Sequence, residues 1–229
     1  MSESLDRTNV WCLVPAMNEA AAIAGVVAGA TAALDHVLVV DDGSSDATGE
    51  RAAAAGAVVI RHEVNRGKGY ALRTGLGHAL AEGAAAVVAM DADGQHDPSE
   101  VPRFVDAANA EGADMVIGTR MGDVSTMPRM RFLTNRVTSA VISWRGGQRV
   151  TDSQCGFRLV RRALWERLEL STGNFDTESE MIIRASRAGF RITEVPISTI
   201  YHETTEGSKI KPLRDTFRFI RLVLRSLRW

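Results

Sequence analysis

The sequence predicts an α/β domain: a mostly parallel central sheet covered by helices on both faces. Three observations predict it. Short apolar runs read as buried strands at Val10 to Val14, His36 to Val40, Val58 to His62, Ala85 to Met90 and Met115 to Gly118. Helix-length segments alternate with those runs. Polar clusters follow the carboxyl ends of several runs, at Pro15, Asp41 and Asp91, which is the edge where open α/β sheets bind ligands.

Taken in order, Pro15 ends the first run, and Glu19 to Leu34 reads as an Ala-rich helix. The second run stops at DDGSSD, whose Gly, Ser and Asp residues offer turn and cap chemistry before a helix over Ala47 to Ala55; Ser45 or Asp46 is the expected cap. NRGKGY leads from the third run into a helix that reaches Ala81, and the fourth run ends abruptly in DADGQHD. Beyond the fifth, the pattern is less regular. Arg131 to Trp144 is helical, GGQRVTDSQCGFR is a loop, Arg161 to Leu168 and FDTESEMIIRASRAG are helices, and Arg191 to Ile200 is strand-like.

A chain of 229 residues with 45% hydrophobic content buries one sizeable core. Its 27 basic and 28 acidic residues nearly cancel, so no global charge points to nucleic acid as a partner. Cys12 and Cys155 form neither a CxxC pair nor a metal cluster and read as buried thiols of a reducing compartment. The N-terminal MSESLDRTNV lacks the apolar core of a signal peptide, and Ala20 to Leu34 is too short and too rich in Ala and Gly for a membrane span. The expected location is the cytoplasm.

Asp91 and Asp93 leave a buried strand, where extended backbone would point both carboxylates at one place. That place suits Mg²⁺ or Mn²⁺, hard cations that share themselves between carboxylates and substrate phosphates. Gln95 and His96 follow closely enough to complete or support the shell. The competing reading is a solvated acidic turn. Asp42 can accept from a base N–H or a ribose hydroxyl, with Gly43 letting the backbone approach. Lys68, between Gly67 and Gly69, can reach phosphate or base oxygens; alone, it would read as a surface lysine.

The ordered set PAMNE (Pro15 to Glu19), VDDGSSD (Val40 to Asp46), NRGKGYA (Asn65 to Ala71), DADGQHDP (Asp91 to Pro98), GTR (Gly118 to Arg120), DSQCGFR (Asp152 to Arg158) and EVPI (Glu194 to Ile197) resembles the family 2 glycosyltransferases. Within them it is most similar to the dolichol-phosphate mannose synthase and polyprenyl-phosphate sugar transferase group. The resemblance implies a GT-A fold, the fold of nucleotide-diphospho-sugar transferases, and an inverting mechanism. It implies a donor pocket of Pro15, Asn18, Glu19, Asp42, Lys68, Asp91 and Asp93, with Asp91, Asp93 and Gln95 holding Mg²⁺ or Mn²⁺. Met17 stands where many relatives carry an aromatic residue, so GDP and UDP both remain open. The expected units are a tail over 1–9, a catalytic domain over 10–205 (a nucleotide-sugar and metal half to 120, an acceptor half from 121) and a C-terminal helix over 206–229.

Breaking the anomeric bond leaves a diphosphate with growing negative charge, which the metal at Asp93 and nearby cations stabilise. An acceptor phosphate is already ionised near neutral pH and needs cations rather than a base. Arg120, Arg131 and Arg158 are the candidates, because a guanidinium fork matches phosphate oxygens. Arg131, Asn135 and Ser139 lie four apart and would present one polar helix face to the acceptor, unless Arg131 merely solvates the helix. By resemblance, Arg120 and this face grip a lipid phosphate.

Asp152 keeps a rival open: with a hydroxyl acceptor it would serve as general base, or it could cap a turn or orient Arg158. A nucleotidyltransferase or a nucleotide-sugar binding module is the remaining alternative, and PAMNEAAAIAG is a poor Gly-rich phosphate loop.

From Leu213 on, Arg214, Arg218, Arg221, Arg225 and Arg228 form one stripe of a helix, while Leu213, Phe217, Ile220, Leu224 and Leu227 form a parallel apolar one before Trp229. A basic amphipathic helix of this kind lies in an anionic membrane surface, which would place the protein peripherally on the inner face of the cell membrane. The competing reading docks it on the catalytic domain or on a second copy of the chain.

Overall fold

A computed structural model describes residues 3–122, 124, 127–174, 176–200 and 212–229, without the side chains of 212 and 213. The expectations for residues 201–211, for 175 and for the side chain of Leu213 lie outside the described residues.

The elements run β1 (Val10–Ala16), α1 (Ile23–Ala33), β2 (His36–Asp41), α2 (Thr48–Ala54), β3 (Val58–Arg61), α3 (Lys68–Ala81), β4 (Ala86–Ala89), a 3-10 turn (Pro98–Glu100), α4 (Val101–Glu111), β5 (Met115–Thr119), α5 (Arg129–Gly146), β6 (Arg158–Arg161), α6 (Arg162–Trp165), α7 (Asp176–Arg187), β7 (Ile192–Pro196) and α8 (Pro212–Ser226). One sheet, ordered β3-β2-β1-β4-β6-β5-β7, crosses both halves of the chain. Its pairings are parallel except at β6, which runs antiparallel to β4 and β5. The central strands are apolar on both faces because helices cover both, as at Val14, Leu38, Val87 and Ile117, all fully buried.

Pro15 lies inside β1, in register with Val40, and does not end the strand. Leu13 turns its carbonyl toward β4, accepting from the Met90 amide at 3.0 Å. Alternation sends the Pro15 backbone to the same side, past the last β4 partner at Ala89, so its missing N–H breaks no ladder bond.

Two elements depart from the sequence pattern. The helix α4 was not anticipated between Asp97 and Met115, and the expected helix from Arg161 begins later because Arg158–Arg161 is a buried strand. The run RLVR carries no apolar signature at its ends, yet both arginines are interior. Arg161 donates to the carbonyls of Ala113 (3.0 Å) and Ala108 (3.0 Å), so a cationic side chain is accommodated where an aliphatic one would be expected.

Helix α8 packs on α5 and α7 through a face centred on Leu222 and Ser226, which are 2% and 0% exposed. Arg145 donates to the Ser226 hydroxyl at 3.0 Å, Arg187 to the Trp229 carbonyl at 2.6 Å, and the Arg184 guanidinium sits 3.9 Å from the centre of the Trp229 ring. The opposite face carries Phe217, Ile220, Leu224 and Leu227, all exposed, with exposed Arg214, Arg221, Arg225 and Arg228 along one flank. Helix α5 repeats the arrangement: Asn135, Ser139 and Ile142 are buried, while Met130, Leu133, Val137 and Trp144 face outward. Among the described residues no helix is long and apolar enough to cross a membrane.

Candidate active site

The loops after β1 and β2 are laced together. Asn18 is the one non-glycine at positive φ (53°) among the described residues, a conformation asparagine tolerates. Its amide donates to Ser44 Oγ at 2.9 Å and its side-chain oxygen accepts from the Ser45 amide at 2.9 Å, while the Glu19 amide donates to Thr48 Oγ1 at 2.8 Å. The N-cap of α2 is Ala47 and not Ser45 or Asp46 as expected; Asp46, one residue earlier, accepts from the Thr48 amide at 3.0 Å. Pro15, Asn18 and Glu19 thus form one rim of the sheet edge. Asp42 is buried just behind it, and both its oxygens are engaged from within the chain. One accepts from His62 Nδ1 (2.7 Å) and the Arg66 amide (3.0 Å), the other from the Gly67 amide (2.8 Å). Asp42 thus fixes the loop that carries Lys68.

Lys68 opens α3 and stands between two carboxylates, with Nζ 2.5 Å from Asp91 Oδ1 and 3.1 Å from Glu178 Oε1. Burial works against its charge, but Asp91 and Glu178 outweigh it and hold the ammonium above its ordinary value. Asp91 is held well below the usual carboxylate range: burial opposes ionisation, and the charges of Lys68 and Arg120 overcome it. His96 lies beneath, its Nδ1 accepting from the Asp91 amide at 3.1 Å, so its hydrogen sits on Nε2; burial lowers its pKa and keeps the ring neutral. Asp91 and Asp93 do not share extended geometry as expected. The strand ends at Ala89, a turn begins at Ala92, and the Asp93 carboxylate accepts from the Gln95 amide at 3.0 Å, with Gly94 at positive φ (75°). The turn, rather than the two-residue alternation of a strand, sets where Asp93 stands.

The DSQCGFR loop supports this cluster from below, one residue at a time. Asp152 is fully buried and meets Arg120 through two parallel bonds, 2.7 Å from Nε and 2.8 Å from Nη2, and accepts from Asn135 Nδ2 at 2.7 Å. Ser153 and Ser139 share a bond at 3.0 Å. A Cβ on Gly156 would fall 2.7 Å from both carboxylate oxygens of Asp91, so only glycine leaves Asp91 its place. Phe157 stacks on His96 with ring centres 5.1 Å apart. Glu194, from the EVPI segment, accepts from the amides of Thr151 (2.8 Å) and Asp152 (3.1 Å) and fixes the start of the loop. Burial pushes the Cys155 thiol up to about 12, as it does Cys12, and both are free, inert thiols.

Three expectations for the acceptor side are corrected. Arg158 is interior and donates to the carbonyls of Cys155 (3.1 Å) and Glu178 (3.1 Å), so it braces the loop and does not reach outward. Asn135 and Ser139 are buried against Asp152 and Ser153, whereas Arg131, at the start of the same helix face, lies exposed; of the three only Arg131 is open to solvent. Asp152 has both oxygens filled by Arg120 and Asn135, and those partners hold its carboxyl below the ordinary value against burial, the opposite of a group poised to take a proton. Its partner is Arg120, not Arg158. Glu178 was missed, because a carboxylate in the first turn of an amphipathic helix carries no motif of its own.

Asp91 and Asp93 offer partly exposed carboxylates, one of them held ionised, with Gln95 following in the same turn. Among the described residues no closed cage of three or more His, Cys, Asp or Glu exists. A hard cation that takes its remaining oxygens from a diphosphate needs no such cage, so the donor set fits Mg²⁺ or Mn²⁺ bound together with a nucleotide.

Comparison with known proteins matches residues 11–168 to the model of glycosyl transferase family 2. The chain is 31% identical over 217 residues to a UDP-N-acetylglucosamine–dolichyl-phosphate N-acetylglucosaminyltransferase of Methanococcus voltae, covering 85% of this chain and 86% of that protein. It is 35% identical over 175 residues to a polyprenol monophosphomannose synthase of Mycolicibacterium smegmatis, covering 71% and 66%. Among solved structures it resembles glucosyl-3-phosphoglycerate synthase of Mycobacterium tuberculosis in complex with Mn²⁺, uridine diphosphate and phosphoglyceric acid, with a TM-score of 0.69, 26% identity, and 96% and 77% of the two chains covered. The sheet order with its single antiparallel strand, the carboxylates at the end of β4 and the matched family model lead to one statement: this chain belongs to glycosyl transferase family 2 and is a glycosyltransferase of GT-A fold.

Proposed function

We propose that the protein is an inverting hexosyltransferase that moves a sugar from a GDP- or UDP-sugar to a polyprenyl phosphate, working peripherally on the inner face of the cell membrane. The observation that carries the reading is the placement of Asp91 against Lys68 and within the field of Arg120 at the carboxyl edge of the sheet. That arrangement concentrates the charge needed by a donor diphosphate and an acceptor phosphate in one place. The named activities of the Methanococcus and Mycolicibacterium relatives support a lipid-phosphate acceptor.

In this reading Pro15, Asn18 and Glu19 border the donor, and Asp91, Asp93 and Gln95 hold Mg²⁺ or Mn²⁺. A cation held there would supply positive charge to offset the negative charge developing on the departing diphosphate. Lys68 reaches the same diphosphate from the head of α3. Asp152 locks the Arg120 guanidinium by one edge, which leaves the rest of the fork for the acceptor phosphate. The ionised acceptor attacks the anomeric carbon from the face opposite the leaving group and needs no base, in keeping with a buried, fully bonded Asp152. The outward apolar faces of α8 and α5, edged by arginines, support placement on an anionic lipid surface.

The test is transfer of radiolabelled sugar from GDP-mannose, UDP-glucose and UDP-N-acetylglucosamine, with Mn²⁺ or Mg²⁺, to added polyprenyl phosphate. Label is expected in the butanol-extractable lipid. Transfer confined to a soluble acceptor such as phosphoglyceric acid would overturn the lipid reading and favour the activity named for the Mycobacterium neighbour.

A further inference from the structure

Lys68 is bound to more than the donor requires. A lysine kept only to meet a diphosphate would be expected to face the opening; here its ammonium is drawn inward between Asp91 at 2.5 Å and Glu178 at 3.1 Å, and the Glu178 side chain is only 7% exposed. An ammonium only 18% exposed needs a counter-ion, because a partly desolvated lone charge is unfavourable. One carboxylate would satisfy it. The second is available when the first is taken.

Asp91 is the carboxylate that is taken. The reading of Asp91 as a ligand of the divalent cation sets two positive charges in competition for one carboxylate within a partly buried site. At such distances, like charges repel strongly. Lys68 must therefore yield, and the geometry supplies where it goes: Glu178 lies on α7, outside the DADGQHD turn, and already touches the ammonium.

We propose that Lys68 is an internal stand-in for the divalent cation at Asp91, and that Glu178 is the positioning residue that receives Lys68 when the cation loads. Before loading, Lys68 keeps Asp91 ionised and in place. On loading, Lys68 releases Asp91, remains neutralised by Glu178, and stays at the head of α3 beside the diphosphate. Glu178 thereby sets cation affinity without being a ligand. The inference rests on the proposed cation site at Asp91 and not on the identity of sugar or acceptor.

The experiment is titration of Mn²⁺ alone, followed by the EPR signal of the free ion, into wild type, Lys68→Met, Glu178→Gln and the double variant, each checked for folding by circular dichroism. Lys68→Met is expected to bind Mn²⁺ several-fold more tightly than wild type, because nothing competes for Asp91. Glu178→Gln is expected to bind several-fold more weakly, because Lys68 has lost its second carboxylate. The two changes interact: in the Lys68→Met background, Glu178→Gln is expected to change affinity little. An equal weakening by Glu178→Gln in both backgrounds would make Glu178 a distant negative charge only and would overturn the exchange. So would unchanged or weaker Mn²⁺ binding by Lys68→Met, or by Lys68→Gln should the methionine variant fail to fold. Loss of all Mn²⁺ binding in Asp91→Asn is the separate check on the cation site, so failure of that site and failure of the exchange give different results.

Discussion

Arg120 and Asp152 face each other through two parallel hydrogen bonds of 2.7 and 2.8 Å, 6% and 0% exposed, directly under the candidate active site. A third bond joins the same carboxylate to the Arg120 backbone at 3.1 Å, so the strand end, the side chain and the loop are fixed as one unit.

Replacing Asp152 by Asn leaves a buried guanidinium without its counter-charge. Breaking one side of a buried pair costs about 3–5 kcal/mol, so urea denaturation is expected to show a large loss of stability together with the loss of turnover. A general base would give a different result: turnover gone, stability unchanged, donor binding intact.

Asp176 lies in the first turn of α7 with one buried carboxyl oxygen lacking a hydrogen-bond partner, and burial raises its pKa. The sign follows from linkage: a carboxyl whose folded pKa is raised binds its proton more tightly in the native state, so it detracts from stability above that pKa and ceases to do so as pH falls. Asp176→Asn is expected to raise Tm at pH 7, with the gain shrinking as the pH is lowered toward 4 (about the ordinary carboxyl pKa). A gain independent of pH would remove ionisation as the cause. Asp152, held below its ordinary value, has the opposite sign, and its contribution is lost as pH falls through its folded pKa.

Leu224 and Phe217 are 60% and 66% exposed on the outward face of α8. Aspartate at both positions is expected to abolish flotation with vesicles containing anionic phospholipid while leaving Tm nearly unchanged. Glutamine at Arg221 and Arg225 should weaken flotation by about 1 kcal/mol per charge, and added salt should reduce the difference. Flotation equal to wild type in the double aspartate variant would remove α8 from the membrane contact.

Much of the first half of the chain was legible because its central strands, buried on both faces, are written in aliphatic letters and followed by turn chemistry. The second half was harder to read for a physical reason. Strand β6 buries Arg158 and Arg161 by giving their donors to backbone carbonyls, a pairing that depends on residues 3 to 158 positions away and leaves no periodic trace. At the site, the motifs marked which residues converge but not how they divide the work. Asp42 was read as a ligand contact, and its hold on the Lys68 loop was not seen; Arg158 was read as a phosphate fork and proves to be a brace; Gly156 was seen only as part of a motif, although Asp91 depends on its missing side chain. Glu178 could have been singled out only by knowing that Lys68 approaches it from a helix more than a hundred residues (~) earlier, and long-range approach of this kind is what a linear pattern does not encode.

Helix α7 has Glu178 near its head and Arg184 and Arg187 near its tail, where they clasp Trp229. Twelve residues of helix make a stiff rod roughly 18 Å long at ~1.5 Å per residue. The chain's last aromatic ring and the ammonium of Lys68 are therefore held at opposite ends of one rigid element, so the lipid-facing helix and the charge cluster share a common support.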